Sequence, residues 1–228
     1  MDFEIFSYRY AEEIIEHPHY SIAIDEISQI IRDCPLFNWP GKSKSNTRLD
    51  VVQQLLNAYF DVKFSCVHGW DYHPNATNIP NSSLKADFRK TFNNLTIQSE
   101  VQFGNMSRWY SDVFKFQTAY SQEMIQMGLC IVPYNELGRR IDSNITNYER
   151  CRRELPSADL SITLPILLIG IKQDEDTHVV DVSQSGFPNI THVTGRGYSD
   201  NLYRIVNGCI SGAAIADIDI AAPIGSRP

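Results

Sequence analysis

Two acidic residues and one amide in this chain have the types and spacing of a metal-dependent hydrolytic site. Glu100 and Gln102 are two residues apart, so on a β-strand their side chains share a face. A hairpin ahead of them would bring Asp87 alongside. Two carboxylates and the backbone carbonyl of Val101 are the hard oxygen ligands that Mg²⁺ prefers. Mg²⁺ there would polarise a phosphate oxygen and lower the pKa of a bound water, as phosphodiester hydrolysis requires.

Spacing alone leaves an alternative open. A carboxylate pair near a hairpin is common at solvated strand ends, where it binds nothing. The motif Glu-x-Gln carries almost no information by itself, so the surrounding elements and the rest of the chain must decide.

The pattern around these residues predicts the elements that would position them. Residues 84–103 read as two strands joined by a hairpin at Asn93-Asn94. A helix is expected from Ser107, its N-cap, to about Met127. Short apolar runs predict buried strands at residues 129–132 and 164–171.

The remaining segments complete an α/β chain. Helices are expected at residues 10–33, where Pro18 could split the element, at about 49–63 and at 148–155, and residues 66–72 could form a strand. The last forty residues suggest loops and short strands. We expect one catalytic and DNA-binding domain over residues 1–228, loop-rich from about residue 180, with a central mixed sheet flanked by helices.

Composition and charge exclude several classes of protein. The chain is 43% hydrophobic with a net charge of −7, which argues against coating nucleic acid or anionic membrane with the whole surface. Residues 61–160, however, carry eleven basic and eleven acidic residues, so the acidic excess lies outside the predicted site. The most apolar run spans about eight residues, against about 20 for a membrane helix. An acidic start and five scattered cysteines favour the cytoplasm of a prokaryotic cell.

Several ordered blocks of the sequence resemble the BglII and BstYI type II restriction endonucleases, within the PD-(D/E)xK nuclease superfamily. The strongest block is Glu-Val-Gln-Phe-Gly-Asn at residues 100–105, where those enzymes also have Gln in place of the superfamily's Lys. The resemblance continues through the following helix and covers most of the chain. Its other blocks are residues 10–14, 69–70, 131–137, 143–149 and 165–171.

The resemblance implies roles for individual residues. Asp87 and Glu100 become the metal-binding carboxylates, Val101 a backbone ligand, and Gln102 the residue at the Lys position. Asn105 matches a base-contacting position. The family's major-groove recognition loop falls on Ser143 and Asn144, whose hydroxyl and amide groups can read base edges.

Two departures bear on this transfer. The thirteen residues from Asp87 to Glu100 exceed the spacing in the relatives by about four, so Asp71 is the fallback for the first carboxylate. Gln102 is neutral, so more charge stabilisation must come from metal, while Gln102 could instead orient the attacking water.

A run of arginines flanks the expected recognition loop. Arg139 and Arg140 could contact phosphates and fix the register while the loop reads bases. The equally plausible alternative is a solvated helix face that pairs with neighbouring glutamates.

Together these features predict a Mg²⁺-dependent homodimer that cuts both strands of double-stranded DNA at a short palindromic site. The resemblance adds a GATC-centred hexanucleotide, 5′ overhangs and a cognate DNA methyltransferase that protects host sites without needing to bind. The alternatives are a structure-specific superfamily nuclease in repair or mobile-element processing, and a sequence-specific DNA-binding protein without catalysis.

Overall fold

The computed structural model describes all 228 residues and contains a six-stranded mixed sheet. The strand order is β1-β7-β6-β5-β4-β3; β5, β6 and β7 are parallel, and the other pairs are antiparallel. A separate parallel pair joins β2 and β8. The strands are β1 (Asp2–Tyr8), β2 (Leu36–Asn38), β3 (Asp71–Tyr72), β4 (Phe88–Phe92), β5 (Leu95–Val101), β6 (Met127–Pro133), β7 (Ile166–Lys172) and β8 (Val179–Asp181).

Helices cover both faces of the sheet. They are α1 (Ala11–Ile15), α2 (Ser21–Arg32), α3 (Gln53–Asp61), α4 (Met106–Ser121), α5 (Asn135–Ile141), α6 (Tyr148–Glu154), α7 (Thr191–Thr194) and α8 (Ser199–Ile210). Two hydrophobic cores lie on opposite faces of the sheet, and alternate residues of β6 and β7 pack into one or the other. Ile131 and Ile169 pack in the core that includes α2, α3 and α8, whereas Cys130 and Leu168 pack in the core under α4 and α6. The expected central mixed sheet flanked by helices is therefore confirmed.

The hairpin that leads into the site forms as predicted. β4 and β5 pair from Phe88 opposite Ser99 to Phe92 opposite Leu95, with Asn93-Asn94 in the turn. Asn93 has φ 55°, a left-handed conformation that asparagine tolerates better than most residues. β5 then continues through α4 to the parallel strand β6, so α4 crosses the face that carries the end of β5.

Three local predictions need correction near the N-terminal half, and one strand was not predicted. Pro18 does divide the helix expected at residues 10–33, into α1 and α2, and residues 2–8 form the unpredicted strand β1 at an edge of the sheet. Residues 62–67 form a π-helical turn after α3, leaving only β3 of the strand expected at residues 66–72. Helix α4 ends at Ser121, because the chain must turn before β6. Its N-cap is Asn105, whose side chain accepts a hydrogen bond from Ser107 N, so Ser107 is not the cap.

The C-terminal portion also differs from the expected loops and short strands. Helix α8 occupies Ser199–Ile210 and packs against α3 through Tyr203 and Val206. Gly208 lies inside this helix, where a Cβ would come within 2.4 Å of the Ile218 side chain. Glycine is thus required for close packing here, and its presence obscured the helical pattern.

Candidate active site

Asp87 lies opposite Glu100 across the hairpin. The β4–β5 register, extended one residue beyond Phe88 and Ser99, pairs these two positions. The Oδ2 atom of Asp87 accepts a 2.9 Å hydrogen bond from the backbone N–H of Val101, which fixes the carboxylate beside the end of β5. Both acids line a cleft of about 460 Å³. Asp71 lies on β3, opposite Arg89 of β4 in the sheet register, and does not line this cleft.

Glu100 is a buried carboxylate with one oxygen in use. Its side chain is only 2% exposed, and Oε2 contacts Nζ of Lys115 at 2.5 Å. Oε1 is buried and has no hydrogen-bond partner. A buried unpaired acceptor is costly, so this atom is suited to a ligand that enters the cleft.

Gln102 shares the cleft with the carboxylates, as the alternation of a strand predicts, and both ends of its amide are occupied. Oε1 accepts a 2.7 Å hydrogen bond from Gly104 N, and Nε2 donates a 2.6 Å hydrogen bond to Oδ2 of Asp112. These contacts use one of the two Nε2 hydrogens and one of the two lone pairs on Oε1. Orientation of a water by Gln102 therefore stays a prediction.

Helix α4 supplies a charged face that the sequence interpretation missed. Arg108, Asp112 and Lys115 are spaced four and three residues apart, so they lie on one side of the helix, and all three line the cleft. Asp112 is buried and bridges Gln102 to Lys115, whose Nζ lies 2.9 Å from Oδ1. The sequence did contain a signal for this charged face: the three charged residues recur at helical spacing beside the buried apolar stripe of α4.

Burial raises the pKa values of the cleft carboxyls. Desolvation raises the pKa of Asp87 to about 6, against the opposing hydrogen bond from Val101. Burial, with the nearby charges of Asp87 and Asp112, also raises the pKa of Glu100. Burial disfavours the charged form of Lys115, but the adjacent carboxylates outweigh it and raise the pKa of this amine. Without a bound metal ion, Asp87 and Glu100 therefore bind protons at higher pH than exposed carboxyls do.

The far wall of the cleft comes from α3. Asp61 lies at the end of that helix, and its Oδ2 accepts a 3.1 Å hydrogen bond from the Tyr203 hydroxyl of α8. Burial raises the pKa of Asp61 to about 6, and the charge of Asp87 adds to the effect. The C-terminal helix thus helps position a fourth acid in the cleft, after Asp87, Glu100 and Asp112.

The donor set fits a hard divalent cation. Asp87 and Glu100 face the same cleft, and the unpartnered Oε1 of Glu100 is available to such an ion. No group of three or more His, Cys, Asp or Glu side chains is arranged to hold a metal. The assignment of the Val101 backbone oxygen as a further ligand stays a prediction.

Two of the three expected base-reading residues line a second cleft that adjoins the first, and Ser143 does not line it. Asn105 and Asn144 line it, and Gln53 and Arg108 line both clefts. Ser143 and Asn144 are exposed. Asn105 caps α4 through its Oδ1 atom, which leaves its amide N–H groups without a protein partner.

Backbone contacts join the loop at residues 143–146 to the residues that follow β5. Asn105 and Ile145 form an antiparallel bridge, and Thr146 N donates a 2.8 Å hydrogen bond to Gly104 O. The loop also packs closely on α5, because Gly138 has no side chain: a Cβ there would meet Ile145 at 2.3 Å. The loop is thereby held only two residues beyond Gln102.

The two arginines before the loop have different environments. Arg140 forms a two-point ion pair with Asp50, with N···O distances of 2.8 and 2.7 Å, and also binds Gln173. Arg139 is exposed and forms no ion pair. Of the two, Arg139 has the guanidinium free for an external anion.

A sequence model of the family described as restriction endonuclease BglII/BglIII matches residues 3–171. The chain belongs to this family. The resemblance noted from the sequence is thus confirmed, and with it the assignment to the type II site-specific deoxyribonucleases. Residues 172–228, which include α8, lie outside the match. No helix is long and apolar enough to cross a bilayer.

Solved structures of BglII share the fold of this BglII-family chain. BglII in complex with a DNA 16-mer superposes with a TM-score of 0.63 at 20% identity, covering 78% of this chain and 81% of that one. Free BglII gives a TM-score of 0.53 at 17% identity, with coverage of 78% and 82%. Among curated proteins, no sequence matches significantly.

Proposed function

We propose that this BglII-family chain is a Mg²⁺-dependent homodimer that hydrolyses both strands of double-stranded DNA at a short palindromic site. The observation that carries the proposal is the apposition of Asp87 and Glu100 in a cleft that adjoins the cleft of Asn105 and Asn144. Acidic groups for hydrolysis and amides for base reading share one continuous surface. The BglII–DNA complex among the structural neighbours supports the same partner.

The residues of the cleft have separable tasks. Asp87, Glu100 and the backbone oxygen of Val101 would hold Mg²⁺, which would polarise a phosphate oxygen and lower the pKa of a bound water. Hydrolysis joins the water oxygen to phosphorus, breaks one P–O ester bond and passes a proton to the leaving oxygen. Gln102 keeps Asp112 and the backbone at Gly104 in place, and so acts by positioning.

Sequence reading would come from the loop beside the site. Asn105 and Asn144 present amide groups and Ser143 a hydroxyl, all suited to base edges, with Asn well matched to adenine. Arg139 would contact a phosphate and set the register, whereas Arg140 would shape this surface through its pair with Asp50. Arg108, which lines both clefts, would contact the phosphate between the base-reading and cleaving positions.

A homodimer follows from the need to cut two strands with one site per chain. Two-fold protein symmetry then matches a palindromic DNA site. An apolar groove between α4 and residues 154–162 supports a self-association surface. Phe114, which lines the groove, is 61% exposed, and Leu160, within residues 154–162, is 96% exposed. Trp109, by contrast, is buried in the core.

Digestion of a long sequenced phage DNA with Mg²⁺, followed by mapping of the fragment ends, tests the proposal. We expect discrete fragments whose ends carry 5′ overhangs at one GATC-centred hexanucleotide. A smear, or cuts at branched structures, would indicate the structure-specific alternative. Specific retention of DNA without products would indicate a binding protein without catalysis. Protection by a methyltransferase acting on the mapped site would complete the restriction–modification pair.

A further inference from the structure

Strand β5 and residue 102 lack a cationic side chain, yet helix α4 brings Arg108 and Lys115 into the cleft. Position 102 holds a neutral glutamine, and no Lys or Arg occurs elsewhere on β5. Lys115, from the middle of α4, places Nζ 2.5 Å from Glu100 and 2.9 Å from Asp112. It is the cation that directly contacts the cleft carboxylates.

The surroundings of Lys115 hold its amine at the site. Asp112 receives the Gln102 amide on one oxygen and the Lys115 amine on the other, so residue 102 positions the lysine through a shared carboxylate. An ammonium group has three N–H donors, and Glu100 and Asp112 take two. The Lys115 side chain is 12% exposed and lines the cleft, so one donor remains for an oxygen that enters it.

We propose that Lys115 is a catalytic residue: its ammonium contacts a non-bridging oxygen of the scissile phosphate and supplies from α4 the positive charge that Gln102 cannot supply from β5. The inference rests on the nuclease function proposed above and adds a residue to that reaction. Lys115 stabilises the extra negative charge that develops on the phosphate oxygens during water attack. Asp112 and Gln102 are positioning residues for it.

Lys115→Met removes the charge while keeping a similar length. We expect the single-turnover cleavage rate with Mg²⁺ to fall by about 10²–10³-fold, the loss typical of one charge-stabilising donor. Lys115→Arg should retain more of the rate than Lys115→Met. Affinity for the cleavage site in Ca²⁺, measured by fluorescence anisotropy, should change much less than the rate. Ca²⁺ binding without DNA, measured by calorimetry, should be undiminished, because removal of a cation leaves Glu100 more available.

Lys63→Met is the matched control. Lys63 is also 12% exposed and also pairs with one aspartate, Asp33, but lies outside the cleft. Its loss should leave cleavage unchanged. Since Lys115→Met leaves buried carboxylates without their cation and could impair folding, the double variant Gln102→Lys/Lys115→Met returns a charge beside Asp112 from the strand. We expect this variant to recover about tenfold or more of the lost rate.

The outcomes separate the two levels of the proposal. If the unaltered chain gives no discrete fragments, the nuclease function and this inference both fail. If it cleaves DNA and Lys115→Met cleaves at the same rate, the inference alone is overturned. Loss of Ca²⁺ binding equal in size to the loss of rate would also overturn it, because Lys115 would then only organise the carboxylates.

Discussion

Gln102 donates a 2.6 Å hydrogen bond to Asp112, joining the end of β5 to a buried acid on α4. Its carbonyl oxygen is bound to Gly104 N as well. Gln102 therefore connects the end of β5 to Gly104, just before α4, and to Asp112 within α4, the helix that also contributes Lys115. The Gln102 amide thus stabilises the packing of β5 against α4.

Gln102→Met should destabilise the protein and slow cleavage together. The substitution keeps the side-chain length but leaves Gly104 N and a buried Asp112 oxygen without partners, at a cost of about 1–3 kcal/mol in the free energy of unfolding. Urea unfolding measures the first effect and single-turnover cleavage the second. Unchanged stability would show that these two hydrogen bonds are not formed in solution.

Glu100→Ala should reduce cleavage to background while sparing specific DNA binding. The variant removes the carboxylate whose free oxygen faces the cleft, but leaves the recognition loop intact. Glu100→Gln, which preserves volume near Lys115, should be equally inactive. Cleavage assays and anisotropy in Ca²⁺ separate the two functions, with exposed Glu16→Ala as the control. An active Glu100→Ala protein would remove Glu100 from the proposed site.

The raised pKa of Asp87, about 6, predicts a pH-dependent affinity for divalent ions. A protonated carboxyl is a poor ligand, so the Ca²⁺ association constant should rise as the pH passes through 6, and the raised pKa of Glu100 adds to this dependence. Below about pH 6 it should fall by about tenfold per pH unit for each proton displaced. Calorimetry between pH 5 and 8 measures this, and Asp87→Asn should remove most of the binding. A profile that is flat from pH 5 upward would contradict the assignment.

The Asp87 carboxyl also affects the free energy of unfolding of the metal-free protein. Because burial raises its pKa in the folded state, protonation favours folding, and this contribution is complete below about pH 4. It is lost as the pH rises through about 6. The unfolding free energy of the parent, measured relative to Asp87→Asn, should therefore decline over this interval. Asp61→Asn should show a similar difference, since the pKa of Asp61 is also about 6.

Arg139→Ala should mainly change the salt dependence of DNA binding, whereas Arg140→Ala should mainly change thermal stability. Loss of a phosphate contact at Arg139 should lower the slope of log affinity against log salt by about 0.9 per contact, or roughly 2 for a dimer. Arg140 is already bound to Asp50, so its removal should reduce thermal stability and change the slope less. Binding titrations over a range of salt and thermal unfolding measure the pair. An unchanged slope and affinity in Arg139→Ala would exclude the phosphate role.

Phe114→Asp should convert the proposed dimer to a 26.0 kDa monomer. A charge placed at the exposed edge of the α4 groove would have to be desolvated at the interface. Ile22→Asp, on a residue 71% exposed on α2, provides the matched control and should leave the mass unchanged. Sedimentation equilibrium measures the mass. A Phe114→Asp protein with the parent's mass would place the interface elsewhere.

Short-range sequence patterns predicted much of the fold and of the candidate site. Alternation of residues predicted the β4–β5 hairpin and the shared face of Glu100 and Gln102, and a two-residue turn brings Asp87 opposite Glu100 despite the wide spacing. The contact between Lys115 and Glu100 was not visible from the sequence, because it joins a helix to a strand fifteen residues earlier. Within α4 alone, Asp112 and Lys115 read as an ordinary i,i+3 pair on a solvated face.

The elements that were missed depend on distant partners. β1 is an edge strand whose pairing is with β7, more than 150 residues away, and nothing in its own pattern requires it. Helix α8 contains a glycine that only the packing of Ile218 explains. In both cases tertiary contacts outweighed local propensity.

The bridge between Asn105 and Ile145 has a consequence for how such an enzyme could acquire a new target. The loop that would choose the DNA sequence and the strand that would cut it share hydrogen bonds, through Ile145 and through Thr146 to Gly104. A substitution that reshapes the loop therefore shifts the end of the catalytic strand. We therefore expect changes in DNA specificity and changes in cleavage rate to be coupled. A loop exchanged between relatives should impair cleavage unless residues 104 and 105 are exchanged with it.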